Sequence, residues 1–131
     1  MQSDTPTVGP SGKMVWAGRV ISALPVLGLL FSGVMKLAQP QMVLDEFARL
    51  GYGEGIAVTI GIVEIACTII YAIPQTAVLG AILLTGYLGG ATATHVRIDD
   101  PFISPIIAGV LVWLGLFLRD GRLRAILPLR R

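Results

Sequence analysis

Apolar positions along the chain gather in four long blocks with short polar segments between them. The blocks run from about Val15 to Leu37, Gly55 to Ile73, Thr76 to His95 and Phe102 to Leu118. An α-helix rises about 1.5 Å per residue, so blocks of this length suit a hydrocarbon core about 30 Å thick. The pattern predicts an all-α membrane protein: a four-transmembrane-helix antiparallel bundle with a short interfacial helix between spans one and two. On this reading residues 1–13 are a disordered cytoplasmic tail, 14–118 the four-helix transmembrane domain and 119–131 a basic cytoplasmic tail.

The third block, TAVLGAILLTGYLGGATATH, has no charged side chain before its terminal His95. Its glycines and alanines would weaken an isolated helix in water, but in lipid small residues let helix backbones approach closely. This block is therefore expected to be the spine of the bundle, with Gly86, Gly89 and Gly90 as helix-packing positions.

In the first block, Gly18, Ser22, Pro25, Ser32 and Lys36 follow helical steps with one gap and make a small, polar stripe for the interior. The apolar run is too long for a signal-peptide core and no A-x-A site follows it, so it is expected to stay in the membrane. The segment QPQMVLDEFARLGY then predicts an interfacial helix, with Pro40 at its start and Gly51 at its stop. Val43, Phe47 and Leu50 share its apolar face, and Asp45 and Arg49 are expected to pair on another. In the second block Ile60, Glu64, Thr68 and Tyr71 share a face. Only Pro74 and Gln75 separate it from the third block, which predicts a tight antiparallel hairpin.

Charged residues make up 14% of the chain and the mean hydropathy is +0.79, against about 25% charged in soluble domains. The net charge of +2 conceals a basic C-terminus, where Arg119, Arg122, Arg124, Arg130 and Arg131 stand against Asp120. Between spans one and two lie Asp45, Glu46 and Glu54 against Arg49. Lys and Arg favour the cytoplasmic side of span ends. Both termini are therefore expected in the cytoplasm. The single cysteine, Cys67, excludes an internal disulfide or CxxC pair and reads as a packing residue. No base-reading motif accompanies the basic tail, so nucleic acid is not an expected partner.

Candidate chemistry rests on four polar residues: Glu64, Lys36, His95 and Arg97. Glu64 lies nine residues inside Gly55, about 13 Å at helical rise and close to mid-membrane. A carboxylate there is costly and is either functional, as a proton acceptor or ligand contact, or fixes register through an interhelical bond to Thr or Tyr. Lys36 either snorkels to water or turns inward to pair with Glu64. Joined with His95 they would form a polar site opening outward, lined by Ser32 and Thr92. His95 is a residue type that exchanges protons near neutral pH. No second His or Cys stands at ligand spacing, so no metal is expected and a cap or site-mouth role fits better. Arg97 with Asp99 and Asp100 reads as a solvated loop cluster, with anion binding as the alternative. Trp16, Tyr52 and Tyr71 read as interface anchors. No haem pair, phosphate loop, Rossmann glycine pattern or catalytic triad is present.

Several stretches together resemble the DoxX-like family of small bacterial membrane proteins: GVMKL, LGY, GIVEIACTIIYAIP, TAVLGAILLTGYLGGATATHVR and LRDGRLRAILP. The resemblance implies a four-helix membrane bundle and carries Lys36, Glu64, His95 and Arg97 over as the family's polar positions. Some members are linked to thiosulfate:quinone oxidoreductase, others to complexes coping with oxidative stress. It implies an accessory component of redox or stress metabolism in a bacterial inner membrane and leaves open whether the chain is an enzyme on its own. A quinone or other apolar ligand is the implied cofactor, and the bilayer, other subunits or further copies of the chain are the implied partners. A packing or assembly subunit, and a proton-coupled small transporter using Glu64, remain as alternatives.

Overall fold

A computed structural model describes residues 12–53 and 55–126. The expected tail over residues 1–11, Glu54 and residues 127–131 of the basic tail lie outside the described residues. Helices α1 (Gly12–Ala38), α2 (Gln41–Leu50), α3 (Ile56–Ala72), α4 (Ala77–Arg97), α5 (Ile103–Arg119) and α6 (Gly121–Ile126) follow one another, with a 3-10 turn at Pro74–Thr76. No strand occurs among the described residues. The segments Gly12–Ala38 and Pro74–Arg97 are long and apolar enough to cross a membrane. The apolar helices α3 and α5 have 17 residues each, about 26 Å at helical rise and at the short end of the spanning range.

Helix α1 packs on α3 and α5, and α4 packs on the same two, so the apolar helices close a ring in the order α1–α3–α4–α5. Tyr71 knots this ring together. It is fully buried; its hydroxyl donates to the Val112 carbonyl at 2.6 Å and lies 3.0 Å from Ser22 Oγ. The Arg119 guanidinium sits 5.0 Å from its ring centroid. The expectation that Tyr71 anchors at an interface is thereby corrected. The buried residues of α3 are Ala57, Gly61, Glu64, Cys67, Thr68 and Tyr71, a helical repeat that carries Tyr71 inward.

The glycine-spine expectation is corrected as well. A Cβ at Gly18 would stand 2.8 Å from the Gly115 carbonyl oxygen, and one at Gly61 would stand 2.9 Å from the Gly33 carbonyl oxygen. The close contacts therefore join α1 to α5 and α1 to α3. On α4 only Gly80 is pressed in this way, against the backbone of Tyr71. Gly86, Gly89 and Gly90 have nothing within 4 Å of a built Cβ. The inward face of α4 is Ala77, Gly80, Ala81, Leu84 and Leu88, and the other three glycines lie off that face.

Helix α2 begins directly after Pro40 and ends at Gly51, whose φ of 91° is left-handed. The Gly51 and Tyr52 amides donate back to the Ala48 and Phe47 carbonyls, each at 3.0 Å, satisfying carbonyls that the helix end would otherwise orphan. Phe47 and Leu50 are buried, while Met42 and Leu44 are exposed. The expected Asp45–Arg49 pair does not form. Asp45 accepts from Gln41 at 2.8 Å, and Arg49 turns to Glu46 and Asp100. Helix α6 opens the basic tail and buries Leu123 in the core cluster.

Candidate functional site: a buried Lys–Glu–Tyr cluster beneath an apolar cavity

Glu64 is 1% exposed, and one of its carboxylate oxygens gathers two donors from two other helices. Lys36 Nζ from α1 and the Tyr87 hydroxyl from α4 both donate to Oε1 at 2.8 Å. Lys36 also donates to Ser32 Oγ at 2.6 Å, one turn earlier on α1. Of the two readings of Lys36, the structure has the inward one. The ammonium supplies the opposite charge a buried carboxylate needs, and Tyr87 adds a charge-assisted hydrogen bond. Close approach of α1 and α3 at Gly33 and Gly61 makes the pairing possible, because it brings the Lys36 stem against α3.

Above this cluster lies a cavity of about 530 Å³ with largely apolar walls. Ile60 and Tyr87 line its bundle side, Phe47, Leu50 and Tyr52 its α2 side, and Lys36 and His95 supply polar groups. Tyr52 and Thr94 share a hydroxyl–hydroxyl bond at 2.9 Å across it, so Tyr52 is a site residue as well as an aromatic near the helix ends. The combination of apolar walls and a few convergent polar groups is the usual character of a small-molecule site.

At the mouth, His95 Nδ1 lies 2.8 Å from the Ala91 carbonyl oxygen, which fixes Nδ1 as the donor. Its Nε2 lies 3.7 Å from Asp100 Oδ2. Arg49 bridges Glu46 at 2.7 Å and Asp100 at 3.1 Å. The Glu46 and Asp100 partners raise the Arg49 pKa, and the Arg49 hydrogen bond holds the Asp100 carboxyl below its ordinary value. Glu46, His95 and Asp100 place ligating atoms within 4.8 Å of one another, and Arg49 is the cation that meets both carboxylates. Arg97 does not join Asp99 and Asp100 in a solvated cluster. It donates to the Leu50 carbonyl and ties α4 to the end of α2.

The structure thus brings Lys36 and His95 to one cavity, with Glu64 held behind its lining by Lys36 and Tyr87, and leaves Arg97 as a strut outside that lining. Ser32 joins the cluster, whereas Thr92 lines a different groove, between α4 and α5. Tyr87 is the residue that sequence reasoning missed. Its signal was a phenol inside an apolar block, where a buried hydroxyl must find a partner.

The helices and the buried polar cluster define the class: a small all-helical membrane protein with an internal polar site. Comparison with known families matches residues 20–117 to the DoxX-like family. That span covers most of the chain, which belongs to this family. No curated protein and no solved structure matches it.

Proposed function

We propose that the chain crosses a bacterial inner membrane four times, with both termini cytoplasmic, and holds a small apolar ligand with a polar head in the α2–α4 cavity. A membrane quinone is the candidate ligand, and the role is that of an accessory component in membrane redox or oxidative-stress metabolism. The observation that carries this reading is the cavity of about 530 Å³ ending on the Lys36–Glu64–Tyr87 cluster. Apolar walls take up the hydrocarbon part, while the ammonium and hydroxyl groups meet a carbonyl or hydroxyl oxygen.

The test is lipid extraction and mass spectrometry of protein purified gently from its native membrane. Stoichiometric quinone or another single apolar species in the wild type, lost in Glu64→Gln, supports the reading. Protein that carries no such species rules out the ligand site. A stoichiometric partner protein in its place would favour an assembly subunit.

A further inference from the structure

Gly86 and Gly90 stand one turn apart on α4, and both line the cavity. Gly18, Gly33, Gly61, Gly80 and Gly115 are each explained by a backbone or side chain that a Cβ would strike. Gly86 and Gly90 have no such neighbour within 4 Å. Glycine is a poor helix former, so two glycines on one face of a helix call for another reason, and the cavity gives one. Where glycine forms the wall, a ligand can lie directly against backbone.

The rest of the lining narrows the ligand. Ala91 extends the wall by a single methyl, and the rings of Phe47, Tyr52 and Tyr87 also line the space. The Phe47 and Tyr52 centroids lie 5.6 Å apart with the rings inclined at 40°. Aromatic side chains beside a smooth backbone wall favour a flat ring, which gains from stacking and edge contacts. At the inner end the Lys36 charge is matched by Glu64, which favours a neutral guest. Lysine has three N–H donors; two go to Ser32 and Glu64, which leaves one for an oxygen on the ring.

We infer that Gly86 and Gly90 are specificity-determining residues, keeping one cavity wall clear for the flat ring of a neutral amphiphile that carries an oxygen acceptor. The inference rests on the ligand-site reading above and names what that site selects. Its test uses full-length protein in lipid nanodiscs and two probes with the same tail, a decyl naphthoquinone and a decyl cyclohexanol. Wild type should hold the naphthoquinone at least about tenfold more tightly than the cyclohexanol. Gly86→Leu and Gly90→Leu should each lose at least about tenfold in naphthoquinone affinity while melting no lower than wild type. Gly28→Leu changes an equally open glycine outside the cavity lining, and it should bind as wild type does. Equal affinity for the two probes, full binding by the cavity variants, or a lowered melting temperature in them overturns the glycine role alone. If wild type binds neither probe, the ligand-site reading fails and this inference fails with it.

Discussion

Lys36 and Glu64 lie 28 residues apart on different helices, yet Nζ and Oε1 meet at 2.8 Å with the carboxylate almost wholly buried. Removing one member of a buried pair strands the other's charge, whereas replacing both with apolar residues can be nearly neutral. Glu64→Leu or Lys36→Met alone should therefore lower stability by about 3–5 kcal/mol. The double variant should recover most of that loss. Denaturation in one detergent across all four proteins checks the coupling. Strictly additive losses would show that the pair does not act as a unit.

Tyr87→Phe removes a single hydroxyl donating to the same carboxylate oxygen. A hydrogen bond to a charged group contributes about 1.5–3 kcal/mol, so the variant should lose stability on that scale. The loss should largely vanish in a Glu64→Leu background, where no acceptor remains. A loss of equal size in both backgrounds would place the role of Tyr87 in packing instead.

Acid should loosen the mouth of the cavity before it unfolds the bundle. The Arg49 hydrogen bond keeps the Asp100 carboxyl below its ordinary value, so folded Asp100 binds its proton less readily than unfolded Asp100 does. This contribution is fully present above the unfolded value of about 3.9 and is lost as pH falls through the lower folded value. Protection of the α2 amides, taken relative to their intrinsic exchange rates, should be high near neutrality and fall below about pH 4. Asp100→Asn should show the lowered protection at neutral pH.

The helices, the α2 break and the α3–α4 hairpin were legible because they rest on local signals: apolar block length, Pro40 and Gly51, and the short Pro74–Gln75 link. Glu64 stood out as an acid at mid-block. The tertiary choices were less visible. A glycine run looks the same whether another helix or a cavity lies beside it, which is why Gly86, Gly89 and Gly90 read as packing positions. The contacts that do need glycine, such as Gly18 with Gly115, join segments far apart in the chain and leave no local trace. Arg49 chose Glu46 and Asp100 over Asp45 because the loop after α4 brings Asp100 to it, and helical spacing alone cannot reveal that.

Reporter fusions should place the C-terminus in the cytoplasm and a position near Asp45 on the opposite side. Gly18 packs against the Arg119 backbone, so Lys13, Arg19, Arg119 and Arg122 gather at one end of the bundle. Asp45, Glu46, Asp99 and Asp100 lie toward the other, where Arg97 ties α4 to the end of α2. Lys and Arg near span ends favour the cytoplasmic side. Fusions reporting the C-terminus outside would reverse the bundle and put the cavity mouth in the cytoplasm.

Gly80 and Gly89 sit on the same helix, and the structure predicts opposite outcomes for them. At Gly80 a Cβ would overlap the backbone of Tyr71, the residue that joins α3 to α1 and α5. Backbone cannot rotate aside as a side-chain tip can, so α3 and α4 would have to separate. Overpacking of this kind costs about 1–3 kcal/mol, more than the gain in helix propensity from Gly to Ala of about 1 kcal/mol. Gly80→Ala should therefore be destabilising despite adding only a methyl, and Gly80→Leu should prevent folding. At Gly89 no atom lies within 4 Å of the built Cβ, so the propensity gain is unopposed and Gly89→Ala should melt at or above wild type. Even Gly89→Leu should fold, its side chain lying in the groove between α4 and α5. Melting curves for the four variants in one detergent decide the matter. Loss of fold at Gly89 with tolerance at Gly80 would restore the glycine run as the bundle's spine and show that α4 packs through its other face.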